Sequence, residues 1–160
     1  MSEEIRSEVL KTIPYGFFVV GVVEESGASN GFTANWVSQA SFEPQQVTVA
    51  VSNDIQSNAL IRKSRVFSLN FLDEAQEELA RKFATDQEAG DSAVGGSEFR
   101  PGTETGAPLF DEAFAHLECR VTGELEAGDH TIFLGEVVNA DLQRPADILL
   151  DTETPMEYGG

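Results

Sequence analysis

The segment from Tyr15 to Val23 constrains the fold most, because it reads as a β-strand that is apolar on both faces. Aromatic and β-branched side chains occupy the two faces, Tyr15, Phe17 and Val19 on one and Phe18, Val20 and Val22 on the other. Such a strand has to be covered on two sides. The chain is therefore expected to place this strand between two packed layers.

The remaining hydrophobic pattern predicts a mainly β chain with small peripheral helices. Further strands are expected at 31–42, 47–51, 65–72, 114–125 and 130–142, and short helices after Ser2, Ser52 and Asp73. The stretch that follows Ser2 carries an apolar stripe at a spacing of four, formed by Ile5, Val9 and Ile13. The adjacent long strands at 114–125 and 130–141 favour antiparallel pairing. A single domain over residues 1–160 is predicted, a small β-barrel of six to seven strands with two or three helices.

Residues 85–108 differ from the rest of the chain, because they are rich in glycine and show no clear period. A loop of more than about 15 residues inside a compact domain is usually functional or disordered. This segment is expected to be a mobile flap.

The charge excludes several kinds of partner. The chain has 28 Asp and Glu against 10 Lys and Arg, a formal net charge of −18. Such a surface repels nucleic acid and anionic membranes. The acids are spread along the chain, which favours a hydrated surface suited to concentrated salt over a specific basic partner, although both interpretations stay open.

Cys119 is the single cysteine, so an internal disulfide or a CxxC motif is excluded. It falls on the apolar face of strand 114–125 and is expected to be buried. The N-terminus is acidic and polar rather than basic and then apolar. A soluble, cytoplasmic protein is predicted.

Two polar segments are candidates for a ligand site. Residues 52–58 join a strand to a helix and carry small hydroxyl and amide side chains, which suits a phosphate. On spacing alone, plain helix capping by Ser52, Asn53 or Asp54 is the favoured interpretation. Residues 30–36 place Thr33 and Asn35 on one side of a strand with Trp36 opposite. This arrangement suits a flat heteroaromatic ligand, or an ordinary β-bend with Trp36 in the core.

Residues 128–131, Gly-Asp-His-Thr, are a third candidate, and they contain one of the two histidines of the chain. His116 and His130 have no spacing with Cys119 that would make a metal set. His116 is expected to be exposed on the polar face of its strand. His130 opens a strand beside a turn, where it is either a hydrogen-bond donor in a site or a surface residue. The motifs GxSxG, GxGxxG and GxxxxGK[ST] are absent.

Six stretches in register resemble the flavin reductase-like family, whose fold is the FMN-binding split barrel. They are IPYG at 13–16, NGFTANWVSQ at 30–39, VFSLNFL at 66–72, LEC at 117–119, GDHTIFLGEV at 128–137 and YGG at 158–160. The resemblance runs from Ile13 to Gly160. It implies a split β-barrel and a homodimer with one FMN per subunit.

The resemblance also implies site residues. Thr33, Ala34, Asn35 and Trp36 would border the isoalloxazine ring. The ribityl chain and phosphate would lie near Ser52, Asn53 and Ser57. Asn70, Arg81 and Lys82 would close that side, and His130 would lie near the flavin or the nicotinamide as the catalytic residue. One departure matters: segment 52–58 has no base, so Arg62, Arg81 and Lys82 are the nearest candidates for the phosphate.

The function implied is an NAD(P)H-dependent flavin reductase that passes hydride to flavin N5. This chemistry needs no catalytic triad, because the cofactor carries it. FMN held without a base would suit an enzyme that treats it as an exchanging substrate and serves a monooxygenase or another redox protein. The alternatives are an electron carrier that holds FMN tightly and is reduced by a redox protein partner, and a non-enzymatic barrel for another flat ligand.

Overall fold

A computed structural model describes residues 2–160 of the chain. The strands are β1 (Phe18–Val23), β2 (Ser29–Ala34), β3 (Val37–Phe42), β4 (Gln45–Ser52), β5 (Val66–Phe71), β6 (Ala93–Val94), β7 (Ser97–Pro101), β8 (Pro108–Phe110), β9 (Ala115–Ala127) and β10 (His130–Leu142). The helices are α1 (Glu3–Leu10), α2 (Gln56–Ser64) and α3 (Glu77–Phe83), with one 3₁₀ turn at Asp151–Glu153. Across residues 2–160, no helix has the length and apolar character needed to cross a membrane.

Seven strands form one sheet in the order β2-β1-β5-β9-β10-β4-β3, and every neighbouring pair is antiparallel. Strands β2 and β3 lie at opposite edges, yet only Asn35 and Trp36 separate them in the chain. A link this short spans at most about 11 Å. The sheet must therefore curl until its two edges approach each other. The predicted split barrel is confirmed, but the strand expected over 31–42 is two strands, because the link carries the chain from one edge to the other.

Strand β1 is covered on both faces, as its sequence predicts. Its inward side chains are in the barrel core, which includes Phe18, Val20, Val22, Val49, Phe67 and Phe133. The opposite face packs beneath α3 and β8, in a second cluster that includes Phe17, Val19, Leu79, Phe83 and Phe110. The strand is thus the shared wall of two cores.

Cys119 lies in the barrel core, where the alternation of β9 predicts it. Burial, together with the charge of neighbouring Glu118, raises the pKa of the thiol to about 12. The thiolate is the nucleophilic form of cysteine. Cys119 is therefore a packing residue rather than a reactive one.

Helix α1 packs little against the barrel. Ser2 caps it by accepting a hydrogen bond from the Ile5 amide at 3.2 Å. The apolar stripe faces solvent, since Ile5, Val9 and Ile13 are 56%, 61% and 43% exposed. This helix leaves an apolar face uncovered in the subunit.

Residues 85–108 contain regular structure, in contrast to the irregular flap expected. Strands β6, β7 and β8 form a small sheet. The turn after β7 is tied to Glu118, whose Oε1 accepts hydrogen bonds from the Thr105 amide at 2.9 Å and hydroxyl at 2.8 Å. A Cβ at Gly102 would lie 2.0 Å from the same oxygen, so only glycine fits there. Movement of this segment stays a prediction.

The expectation that His116 is exposed is wrong. His116 and Glu118 are 2% and 1% exposed, because the segment before β9 covers the polar face of that strand. The His116 Nε2 lies 2.7 Å from the Phe110 carbonyl oxygen. Burial disfavours ionisation of Glu118, but hydrogen bonds from Asn139, Thr105 and Glu104 outweigh it and hold its pKa below the ordinary value.

Helix α3 begins later than its sequence suggests. Asp73 and Gln76 form a turn in which the Gln76 side chain accepts from the Asp73 amide at 3.0 Å, and the helix starts at Glu77. Within the helix, Glu77 forms an ion pair with Arg81, four residues later, at 2.8 Å. Glu78 and Lys82 have the same spacing but form no ion pair, because Lys82 donates to the Gly95 carbonyl at 3.0 Å and to Ser97.

Candidate functional site

A cavity of about 660 Å³ opens where the two sheet edges approach. The end of β2 and the Asn35–Trp36 link form one side, and the start of α2 forms another. The end of α3 and residues 156–158 complete the wall. The volume is typical of a small-molecule site. The cavity brings together the two polar segments that the sequence suggested as ligand sites.

The start of α2 gives the cavity an anion-binding end. The first N–H groups of a helix have no partner within the helix. Ile55 is the N-cap residue and its side chain forms no capping bond, and the first turn has no acidic residue. Ser52, Gln56 and Ser57 line the cavity at this end. Free amides and a positive helix end suit a phosphate, whereas the alternative of side-chain capping is not realised.

A hydrogen-bond network holds this loop in place from below. Asn53 does not line the cavity; its amide N–H donates to the Asp129 carbonyl at 2.9 Å and its side chain donates to the Gly128 carbonyl at 3.1 Å. The Thr131 hydroxyl donates to the Asn53 Oδ1 at 2.7 Å and accepts from the Asn58 Nδ2 at 3.1 Å. The loop and the turn between β9 and β10 are therefore one unit.

The Asn35–Trp36 link carries two buried donors without partners. The Asn35 Nδ2 and the Trp36 Nε1 are shielded from solvent and form no hydrogen bond with any residue of the described chain. Leaving such a group unpaired costs about 1–3 kcal/mol. Both residues line the cavity, next to Thr33 and Ala34. A ligand with acceptor atoms along its edge would relieve the cost. The Thr33 hydroxyl is already engaged, donating to the Ala80 carbonyl at 2.6 Å.

An aromatic cluster borders the same wall. The Trp36 ring centroid lies 4.7 Å from that of His130 and 4.9 Å from that of Tyr158. His130 does not line the cavity itself; its Nδ1 is 2.7 Å from the Asp129 carboxylate and its Nε2 contacts the Tyr158 hydroxyl. The bond to His130 holds the pKa of Asp129 below its usual value. Burial and the Asp129 charge raise the pKa of Tyr158, so its hydroxyl keeps its proton at neutral pH.

The cavity is acidic. Asp54, Asp86 and Glu157 line it, and none of the lining residues is Lys or Arg. The three bases suggested for a phosphate are engaged elsewhere: Arg62 with Thr131 and Glu124, Arg81 with Glu77, and Lys82 with Ser97. A phosphate here would rely on backbone amides and hydroxyls.

Asn70 lies away from the cavity as well. It is buried, donates to the Val19 carbonyl at 3.0 Å and accepts from the Phe110 amide at 2.8 Å, so it joins β1, β5 and β8. Its contact with a cofactor, like that of Arg81 and Lys82, stays a prediction.

Sequence reasoning missed part of the wall. Residues 85–87, just after α3, and 156–158 line the cavity. No motif pointed to the first group, which the fold brings there by ending α3 beside β2. The second group had a signal, the YGG stretch that begins at Tyr158.

Fold and site together define a split β-barrel with a small-molecule cavity where its two sheet edges approach. The chain belongs to the flavin reductase like domain family, whose model matches residues 10–158. An NADH-dependent FAD reductase of Streptomyces globisporus is 38% identical over 130 residues, which are 79% of this chain and 71% of that protein. The reductase component of a 4-nitrophenol 4-monooxygenase/4-nitrocatechol 2-monooxygenase of Rhodococcus opacus is 36% identical over 131 residues, 78% of this chain and 67% of that protein.

Solved structures agree with this assignment. The NADH:FAD oxidoreductase SgcE6 of Streptomyces globisporus superposes with a TM-score of 0.80 at 34% identity, covering 92% of this chain and 81% of that one. An FMN-binding protein of Thermus thermophilus gives a TM-score of 0.72 at 28% identity, covering 82% of this chain and 72% of that one.

Proposed function

We propose that this chain is an NAD(P)H:flavin oxidoreductase that binds FMN in the cavity beside Trp36. The observation that carries the proposal is the pairing, in one cavity, of an uncapped helix start with two buried, unpartnered donors. The helix start suits the phosphate, and the donors of Asn35 and Trp36 suit the acceptor atoms of the flavin ring. Bound flavin would supply the hydride acceptor, so the protein needs to bind, orient and exclude water.

The residues around the cavity would act in distinct roles. Ser52, Ser57 and the first amides of α2 would hold the phosphate. Asn35 and Trp36 would donate to the ring, and Ala34 leaves space for it. Asp129 accepts from the His130 Nδ1–H, because a carboxylate can only accept, so the His130 Nε2 accepts from Tyr158. The two hydrogen bonds would fix the tautomer of His130, which would lie near the flavin or the nicotinamide.

FMN is proposed over FAD because the cavity supplies one helix start for a phosphate and its lining has no Lys or Arg for a second phosphate. An FMN-binding relative and FAD-dependent relatives are both similar to this chain. Titration of the apoprotein with riboflavin, FMN and FAD, followed by Trp36 fluorescence, ranks the ligands. FMN should bind more tightly than riboflavin, and FAD no more tightly than FMN. Bleaching of the visible flavin band by NADH or NADPH then tests the activity, and its absence at every salt concentration would refute it.

The acidic lining of the cavity supports FMN as an exchanging substrate. Three carboxylates and no base line the cavity, which disfavours tight retention of an anion. Reduced flavin would then pass to a separate oxygenase or redox protein, as the similarity to a monooxygenase reductase component suggests. Gel filtration after loading with FMN should yield colourless protein that catalyses NAD(P)H oxidation once free FMN is added back. Protein that stays yellow and oxidises no nicotinamide would support the electron carrier instead.

A homodimer is proposed from the apolar surface. A groove of about 400 Å³ is lined by the partly buried apolar side chains of Phe71, Leu117 and Val137, and by polar side chains of β3 and β4, which are Ser38, Gln39, Gln45 and Gln46. A second copy would cover it. Ala140 lines the groove and is exposed, so Ala140→Glu should leave the fold intact but give a monomer in sedimentation. Ala146→Glu adds the same charge at an exposed position outside the groove and should stay dimeric. A wild-type monomer would overturn the proposal.

A further inference from the structure

The last residues of the chain cross the wall of the cavity. After the 3₁₀ turn, residues 154–160 run beside Trp36, and Met156, Glu157 and Tyr158 line the cavity. A Cβ built on Gly159 would lie 3.7 Å from the indole Nε1, so the backbone of Gly159 lies against the Trp36 ring. Residues 154–160, called the strap below, therefore lie over the Nε1 edge of the indole.

Few contacts hold the strap. Tyr158 is bound to His130 through its hydroxyl, and Thr154 is bound to Glu77. Glu157 faces Lys11 of the α1 end at 3.8 Å, but both side chains are largely exposed, so water screens this pair. Met156 is the strap residue that packs against a core cluster. Apart from these contacts and those of the Tyr158 ring with the Trp36 and His130 rings, the strap is largely exposed, and such a segment opens at low free-energy cost.

The closed arrangement also carries a cost of its own. The Trp36 Nε1–H beside Gly159 is buried without a partner. An unpaired buried donor disfavours the state that contains it, relative to one in which water or a ligand accepts the bond. The Tyr158–His130 bond opposes opening. The unpaired Trp36 donor thus favours an open strap, and the Tyr158–His130 bond favours a closed one. Because the two contributions oppose each other, the strap can open and close.

We propose that residues 154–160 form a strap that closes over the Trp36 wall and opens to admit a planar ligand, with the Tyr158–His130 hydrogen bond as its latch. The identity of that ligand as flavin rests on the proposed function, whereas the opening itself does not. Tyr158 is therefore a positioning residue: it sets how often the buried Nε1 edge of Trp36 is accessible. It acts through its hydroxyl, which is bound to His130, and His130 is bound in turn to Asp129.

The protein contains a native probe and a matched control for this proposal. Trp36 is the one tryptophan of the sequence, so all indole fluorescence comes from beneath the strap. Tyr158→Phe removes the latch hydroxyl and keeps the ring. Tyr15→Phe removes the same atom from another ring near Trp36, with centroids 6.4 Å apart, whose hydroxyl has no hydrogen-bond partner among residues 2–160.

Quenching by acrylamide, which is neutral and insensitive to the protein charge, reports access to Trp36. Tyr158→Phe should raise the quenching constant of the apoprotein, and Tyr15→Phe should match the wild type. In stopped flow, FMN should associate about three- to tenfold faster with Tyr158→Phe, the factor that corresponds to loss of one hydrogen bond from the closed state. Equal quenching in all three proteins would overturn the strap.

Two further outcomes are decisive. If FMN binds to none of the proteins, the proposed function fails, but the quenching experiment still decides whether the strap opens. If Tyr158→Phe does not fold, hydrogen exchange of the wild type replaces it. Amides of the strap should then exchange faster than those of β10 and become protected when FMN is added. Strap amides as protected as β10 without ligand would overturn the proposal.

Discussion

Removal of one buried hydroxyl, that of Thr131, should weaken phosphate binding at a site that Thr131 itself does not touch. Thr131 is 1% exposed. Its oxygen makes three hydrogen bonds, donating to Asn53 at 2.7 Å and accepting from Asn58 at 3.1 Å and Arg62 at 3.2 Å. Thr131→Val keeps the shape of the side chain and deletes all three. Asn53 and Arg62 are partly exposed and regain water, and Asn58 keeps its bond to the Val51 carbonyl at 3.1 Å.

The expected loss of stability and of FMN affinity follows from these three hydrogen bonds. With most partners able to find another group, the free energy of unfolding should fall by about 2 kcal/mol. For a chain of this size the Tm should then fall by roughly 4–8 °C at fixed protein concentration. The loop 52–58 loses its attachment to the β9–β10 turn, so its amides no longer converge on one point. FMN should bind about tenfold more weakly, equivalent to about 1.4 kcal/mol.

Riboflavin separates this mechanism from a general loss of structure. It lacks the phosphate, so its affinity should change less than about twofold if the helix start acts on the phosphate alone. Thr131→Ser should restore both affinity and Tm, because it restores the hydroxyl. Thr122→Val removes a hydroxyl from an exposed position on β9 and should shift the Tm by no more than about 2 °C. Equal losses for FMN and riboflavin would refute the reasoning, as would a Thr131→Val protein with wild-type Tm and affinity.

Three other outcomes are expected. Glu118→Gln should destabilise the fold by roughly 2–4 kcal/mol at neutral pH, because an amide cannot accept all the bonds that this carboxylate accepts. The folded-state pKa of Glu118 lies below the ordinary value of 4.5. The difference in unfolding free energy between Glu118→Gln and the wild type should therefore narrow as the pH falls below 4.5 through that lowered pKa. Denaturant titrations at several pH values would show or exclude this narrowing. Asp54→Asn should strengthen FMN binding roughly two- to fivefold at low salt and have little effect at high salt. Asp147→Asn changes the net charge equally but outside the cavity, so it should not strengthen FMN binding. Identical dependence of FMN affinity on salt in the two variants would contradict a local effect. Cys119 should resist a thiol reagent at pH 8 in the native protein and react fully in denaturant, and rapid native labelling would show that the barrel core opens.

Local patterns predicted what depends on neighbours in sequence. The two-sided β1, the cap at Ser2 and the start of β10 at His130 follow from periodicity and turn chemistry. The break at Asn35–Trp36 does not, because Thr33 to Val37 has no proline or glycine and its residues are acceptable in a continuous strand. The break arises from barrel closure, a property of all seven strands.

The prediction that the polar face of β9 is exposed was wrong for a related reason. Alternation assigned His116 to solvent, because it lies on the polar face of its strand. The segment before β9 covers that face, and its glycines hid the strands within it. The same difficulty affects the bases near the cavity: sequence proximity suggested Arg62, Arg81 and Lys82, but each has a carboxylate or polar partner that only the tertiary structure supplies.

The two-residue link between β2 and β3 gives a bound ligand a mechanical role. At this seam the first and last strands of the sheet meet without hydrogen bonds between them, so sheet fraying can begin at either edge. A ligand seated there touches the β2 end, the link and the α2 start that follows β4. It would hold the two edges of the sheet together. Ligand occupancy would then suppress unfolding from the edges inward, and the barrel would be complete only while it holds its ligand.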